Sequence, residues 1–289
     1  DFHDYLDFDG TYDWDEAPYT LGSADDYYTY THFRDVVCKT STDLSVCETA
    51  MVGKKIRFET AEELYRFSVD VSFEQVYLSS DPAENVPVSS DKKDFLLGQH
   101  YVLGNDIDYS VLGAKTFIPI GYSFLDSTET QFEKTFKGIF DGQGFVISNM
   151  YFAGYDFLVY EELVDGELVD VAITPYYSMF TINEGTIKDI GLVNPTFELL
   201  NLHISITRVS NLVGLNKGIV DHAFVVDNRD DIYNAGIRYN VGTSSSSFQA
   251  AGMIHENQGT FTNSYYASKV VVNASYINKF DAQPVLFVN

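Results

Sequence analysis

Paired carboxylates are the first residues in this chain that could do chemistry. Asp106 and Asp108 stand two apart in "GNDIDYS", so on an extended backbone both face one side. Two acids held together are what a polysaccharide hydrolase or lyase uses for its acid and base roles. The same spacing also suits solvated aspartates at a strand edge, or a cap shared between neighbouring backbone amides. Asp141, in "FDGQG", has the simpler reading of a turn residue. Lyase sites further need a basic residue among their aspartates. Arg57, Arg66, Arg208, Arg229 and Arg238 show no such grouping.

Metal chemistry has two weak candidates. In "DFDGTYDWDE" (7–16), Asp7, Asp9 and Asp13 surround a glycine in the manner of a calcium loop. The segment lacks a full EF-hand register and its terminal Glu. Calcium, at Asp7, Asp9 and Asp13 or at Asp106 and Asp108, is the only cofactor the sequence raises, against the plainer reading of solvated acids. "HENQG" (255–259) opens like a zinc-protease motif but has no second histidine four residues on. His3, His32, His100, His203 and His222 have no ligand spacing either. No residue is assigned a catalytic role.

The net charge of −24 sets limits on partners. It argues against nucleic acid and anionic membrane surfaces, which select basic proteins. No run approaches the roughly 18 apolar residues of a membrane-spanning helix. The chain begins at Asp1 without Met or a signal peptide, as expected of a mature form or a piece of a longer protein. Cys38 and Cys47 are its only cysteines. A lone close pair suits one disulfide in an extracytoplasmic protein, the alternative being two reduced thiols in the cytosol.

Such side chains need a scaffold, and the scaffold is visible as punctuation. Residues 1–54 form an acidic, aromatic-rich segment. Its first 33 residues carry no Lys or Arg, yet interleave acids with Phe2, Tyr5, Phe8, Tyr12, Trp14, Tyr19, Tyr27 and Tyr28. So many rings imply packing against the body of the protein or a partner. A cap follows over 55–94. There Thr60 and Glu63 in "TAEELYRFS" make a capping-box pattern, with Leu64 and Phe67 on one helical face.

From 95 to 289 the chain reads as short apolar runs separated by Gly, Asn and Asp. "NEGTIKDIGL" (183–192), "NKGIVDHAFV" (216–225) and "NQGTFTNSYY" (257–266) align. Asn183, Asn216 and Asn257 each precede Gly185, Gly218 and Gly259 by two. Ile187, Val220 and Phe261 follow at one fixed offset, and Asp189, His222 and Asn263 at another. Gly144, in "FKGIFDGQGFVISNMYF", opens a divergent earlier copy. The glycine spacings are 41, 33 and 41 residues. Repeats of this kind imply stacked strands, with Ile187, Val220 and Phe261 pointing into a core. Gly and Asn would mark corners of positive φ, and stacked Asn side chains would bond along the axis. At about 20–25 residues per turn, each repeat supplies one to two turns. Residues 95–289 then make about eight or nine turns and a rod about 40 Å long.

The paired tyrosines Tyr27/Tyr28, Tyr176/Tyr177 and Tyr265/Tyr266 should each place one ring inward and one outward, where a ring is free to stack on a sugar or simply to face solvent. "YEELVDGELVDV" (160–171) is a hairpin signal centred on Asp165-Gly166. Glu161, Glu162, Asp165, Gly166 and Glu167 would form an acidic projection, which serves recognition or is a neutral insertion.

These repeats resemble the GLUG-type repeats of bacterial surface proteins, with units near "GGLVGxNxGxIxNSY"; "AGMIHENQGTFTNSYY" (251–266) is the best copy. Upstream, "IRFETAEELYRFSVDVS" resembles the capping helix of such proteins, "YVLGNDIDYS" the first strand, and "FIPIGYS…FKGIFDGQGFVISNMYF" the turns that follow. The similarity covers residues 56 to about 275. The fold expected is all-β, a right-handed parallel β-helix (β-solenoid). It carries a short N-terminal capping helix and an irregular acidic N-terminal segment. The resemblance implies an extracellular or cell-surface location and a non-enzymatic, adhesin-like or structural role, with a host or glycan surface as partner. The alternatives are a β-helical polysaccharide-processing enzyme and a filament or appendage subunit that self-associates through its solenoid ends.

Overall fold

The computed structural model describes residues 26–38, 44–72, 88–113, 116–125, 131–154, 159–164, 167–172, 176–200, 206–229, 236–240, 247–268, 270–273 and 280–282. Asp7, Asp9 and Asp13 lie outside these, as do Asp165 and Gly166.

The described chain is rich in strands, most of them in parallel sheets, with few helices. In the largest sheet, Tyr27–Thr29, Lys55–Phe58, His100–Leu103, Ile139–Asp141, Thr186–Val193, Ile219–Val226 and Thr260–Thr262 neighbour one another in sequence order. Their register stacks Tyr28, Ile56, Tyr101, Phe140, Ile187, Val220 and Phe261 in one column. The five middle members are fully buried, while Tyr28 and Phe261 pack partly buried on the same core. Three more parallel ladders follow the same steps. One joins Phe180–Asn183, Val213–Asn216 and Ile254–Asn257. A second joins Tyr151–Gly154, Thr196–Leu200, Gly236–Asn240 and Val270–Asn273. The third joins Tyr176–Tyr177, Ile206–Val209, Ser247–Ala250 and Phe280–Ala282.

The register steps correct the expected layer size. Asn183 pairs with Asn216 and Asn216 with Asn257, separations of 33 and 41 residues. One repeat is therefore one layer, not up to two. Beyond the two strands that flank its Asn-x-Gly, each repeat holds two more, such as Thr196–Leu200 and Ile206–Val209. Among the described residues, 95–289 accordingly place five successive strands on the main path of the largest sheet, with Ile107–Asp108, Val146–Ser148 and Tyr265–Ala267 pairing beside it, and not eight or nine turns.

The corner glycines also work differently from expectation. Positive φ falls at Asp189, His222 and Asn263, one register-equivalent position, and not at Gly185, Gly218 or Gly259. Those three glycines are required by contact. A Cβ on Gly138, Gly185, Gly218 or Gly259 would collide with the carbonyl oxygen of Gln99, Gly138, Gly185 or Gly218 respectively. Backbone thus rests directly on backbone from layer to layer. Beside this column runs an amide ladder. Asn183 Nδ2 donates to Asn216 Oδ1 at 2.8 Å, and Asn216 Nδ2 to Asn257 Oδ1 at 2.7 Å. Asn183 and Asn216 are fully buried, so these bonds replace water they cannot reach.

The N-terminal end is helical. Thr60 caps the helix Ala61–Asp70 by accepting from the Glu63 amide. Buried Glu63 does not close the box on Thr60. Its oxygens accept from the amides of Glu59 (2.8 Å) and Thr31 (3.0 Å), which ties in the preceding segment. Asp70 accepts from Tyr30 Oη at 2.8 Å and pairs with Arg34 at 2.6 Å. Cys38 and Cys47 form a disulfide with Cα atoms 5.3 Å apart, and both are fully buried. Residues 26–38 therefore lie against the body. The helix Ser90–Leu97, capped by Ser89, has no counterpart in the sequence reading, because "SDKKDFLL" shows little apolar periodicity. Among the described residues no helix is long and apolar enough to cross a membrane.

Candidate functional site

Asp106 and Asp108 are occupied with backbone and neighbouring strands. Asp106 Oδ1 accepts from the Val146 amide at 2.9 Å. Asp108 Oδ1 accepts from Asn149 Nδ2 and the Ser110 amide, each at 2.9 Å, which holds its carboxyl below the usual range. Both acids thus bridge to the next layer. Asp141 makes a turn bond to the Gln143 amide at 3.0 Å and an ion pair with Lys188 at 2.9 Å. Lys188 also pairs with Asp189 at 2.9 Å. Burial would lower the Lys188 pKa, but its two aspartates prevail and raise it. One layer further, Asp221 accepts from Thr262 Oγ1 (2.7 Å) and Asn263 Nδ2 (2.9 Å), and contacts His222 Nδ1 at 2.9 Å. Among the described residues, no three of His, Cys, Asp and Glu are placed to share a metal ion. Val159–Val164 and Glu167–Ala172 pair antiparallel as a separate two-stranded sheet, with Glu161 opposite Asp170, Glu162 opposite Val169 and Glu167 opposite Val164.

A more site-like arrangement lies away from the main core, where two columns meet. Register stacks Tyr176, Arg208 and Gln249 on one ladder, and Ile182, Leu215 and Glu256 on the next. Tyr177 joins the main core, whereas Tyr176, Ile182 and Leu215 form a separate buried apolar cluster. Side chains of the two adjacent ladders are therefore in contact on the face away from the main core. Gly214 makes room for this, since a Cβ there would strike the Cβ of Tyr176. The Tyr176 ring extends past Gly214 and its hydroxyl donates to Glu256 Oε2 at 3.0 Å.

Polar side chains surround the Tyr176 ring. The Arg208 guanidinium stands 5.4 Å from the Tyr176 ring centroid, and its Nε donates to Gln249 Oε1 at 3.4 Å. The His255 ring meets Tyr176 edge-on at 5.7 Å, and its buried Nδ1 has no hydrogen-bond partner among the described residues. Gln258 Nε2 donates to Glu256 Oε1 at 2.7 Å.

Compared with protein-family models, curated proteins and solved structures, the chain has no match.

What this cluster can do follows from its charge states. Burial, reinforced by the Arg208 charge, pushes His255 down to about 4, so it is neutral at neutral pH. Burial and the bond to Glu256 push Tyr176 up to about 12, so it keeps its proton. The Gln258 bond, with those of Tyr176 and Arg208's charge, holds Glu256 below its ordinary value and ionised. A cation, an anion, a neutral imidazole and two amides therefore stand beside a small buried apolar cluster. This is recognition chemistry for a polar ligand with both donors and acceptors. Sequence reasoning treats His255 as a repeat variant and leaves Tyr176, Arg208 and Glu256 unconnected. Only the register brings them together.

Proposed function

We propose that this chain is a right-handed parallel β-helix serving as a non-enzymatic, extracellular module of a bacterial surface protein, adhesin-like or structural. The observation that carries this reading is the column Gly138, Gly185, Gly218 and Gly259, each seated on a carbonyl of the layer before. Such a column, with the asparagine ladder beside it, favours a rigid stack in which successive layers present side chains at fixed intervals. Asp106, Asp108, Asp141 and Asp221 support the non-enzymatic half of the reading, because each is engaged in bonds between layers. The disulfide suits an oxidising compartment. The resemblance to GLUG-type repeats points the same way.

Display of the full chain on a non-adherent bacterial cell tests the proposal. Adhesion to host cells or glycan-coated surfaces is expected, with no release of reducing ends or unsaturated sugars. Deleting residues 161–169 asks whether the hairpin contributes to that adhesion. Display without any gain in adhesion would reject the adhesin-like role. Polysaccharide turnover would reject the non-enzymatic one in favour of a β-helical polysaccharide-processing enzyme.

A further inference from the structure

We propose that the last layer of the stack docks a strand–corner–strand segment of another polypeptide that carries Asn-x-Gly, which adds one further layer in parallel register. This goes beyond the surface-module reading and does not depend on it. The first support is the set of bonds that each layer passes to the next. The Lys217 and Gly218 amides donate to the Asn183 carbonyl, and the Gln258 and Gly259 amides to the Asn216 carbonyl. The Ile219 and Thr260 amides likewise donate to the Gly185 and Gly218 carbonyls. Asn183 Nδ2 and Asn216 Nδ2 each bond an asparagine oxygen and a backbone carbonyl of the following layer. At the last layer the series stops. Among the described residues nothing donates to the Asn257 carbonyl, and Asn257 Nδ2 turns back onto the Gly259 carbonyl of its own layer at 3.3 Å. Phe261 ends its column half-buried, where Ile187 and Val220 are fully buried.

The second support is that this edge is undefended. Ile254–Asn257, Thr260–Thr262 and Tyr265–Ala267 each pair on one side only among the described residues. Exposed strand edges are commonly blunted by Lys, Pro or other charges that stop a further strand from pairing. From Ile254 to Ala267 there is no proline, and Glu256 is the only Asp, Glu, Lys or Arg, although the chain carries a net charge of −24. Fit then names the occupant. Residues 260–289 contain no glycine, so no later part of this chain supplies the next seat. The first strand, Tyr27–Thr29, has neither asparagine nor glycine, so a second copy stacked head to tail leaves the ladder incomplete. A further layer needs glycine over the Gly259 carbonyl, as Gly259 itself sits over that of Gly218. It also needs asparagine two residues before and an apolar residue two after. Added strands bind through main-chain bonds and are selected by such side-chain positions.

The probe is a fluorescein-labelled peptide of residues 210–226, "SNLVGLNKGIVDHAFVV", titrated into the intact chain and followed by anisotropy. Saturable binding is expected. Gly218→Ala or Asn216→Ala in the peptide should weaken it about tenfold or more. In the chain, Asn257→Asp keeps the oxygen that accepts from Asn216 and places a charge on the edge, so it should weaken binding by a similar factor. Arg66→Gln, on the capping helix, should leave binding unchanged. Thermal unfolding of each chain variant confirms that it folds, and Thr262→Lys, exposed on the same edge, serves if Asn257→Asp does not. A photoreactive group at Lys217 of the peptide should attach to residues 256–260. Absence of saturable binding, equal binding of substituted or scrambled peptides, or attachment elsewhere would overturn the proposal. Self-association of the chain that Asn257→Asp abolishes would also overturn it, by making a second copy the occupant.

Discussion

The Tyr176 hydroxyl reaches Glu256, 80 positions later in the chain, through a 3.0 Å hydrogen bond. The two belong to different ladders, and the bond spans the layer that contains Gly214. A contact this long in sequence and short in space depends on the absence of a side chain at Gly214.

Gly214→Ala should therefore displace Tyr176 and break its bond to Glu256. Overpacking of this kind costs about 1–3 kcal/mol. Tyr176→Phe keeps the ring, loses only the charged hydrogen bond, and should cost roughly 1.5 kcal/mol. Urea unfolding midpoints measure both, and an unchanged midpoint for Gly214→Ala would refute the packing described.

The amide ladder predicts a graded series. Asn216 both gives and receives a ladder bond while fully buried. Asn216→Ala strands the Asn183 amide and should cost about 2–3 kcal/mol. Asn257 is exposed at the end of the ladder, and its replacement by Ala should cost less than about 1 kcal/mol. Equal losses at the two positions in chemical denaturation would contradict the ladder.

This series also shows what a reader of the sequence can see. Asn183, Asn216 and Asn257 recur because each layer needs the same amide at the same corner, so the layer spacing is legible. The layer size is not. The strand Ser247–Ala250 begins at the last serine of "VGTSSSSFQ", a stretch that by composition is a loop, yet it pairs in register with Ile206–Val209. The purpose of the corner glycines is hidden for another reason. Glycine looks the same whether it permits positive φ or a close carbonyl, and only the register tells Gly218 from Gly144, whose φ is 79°. The cluster around Tyr176 is less legible still. Tyr176, Arg208 and Gln249 share no motif, and become neighbours only through the register.

His255 predicts a pH dependence. Its folded pKa, about 4, lies below the ordinary 6.5 of an unfolded histidine. The unfolded chain therefore takes the proton first, and the His255 contribution to stability is full above about pH 6.5. It is lost as pH falls toward 4. Near pH 5, unfolding should take up roughly one proton on this account. His255→Gln should remove that uptake from the pH dependence of the unfolding free energy. A variant with the same slope as the parent would show that His255 titrates normally.

Reduction of the Cys38–Cys47 disulfide should cost about 2–3 kcal/mol, since it closes a short loop. The effect should be local. Lys92 Nζ donates to the Cys38 carbonyl at 2.7 Å, so loosening should spread to the start of the helix Ser90–Leu97. Amide exchange after reduction should rise there and over 26–38 while 180–226 keeps its protection. Uniform loss of protection would disprove a local role.

The register steps of 33 and 41 residues have a mechanical consequence. Neighbouring strands in a sheet are about 4.8 Å apart, whereas 33 residues pulled straight reach about 110 Å. A layer detached under tension would therefore release more than twenty times the length it occupied. The bonds between layers run along the stack and are loaded side by side across four ladders, so they resist together before any one layer gives way. A chain built like this is stiff under small loads and lengthens in large discrete increments under heavy ones, as a shock absorber does.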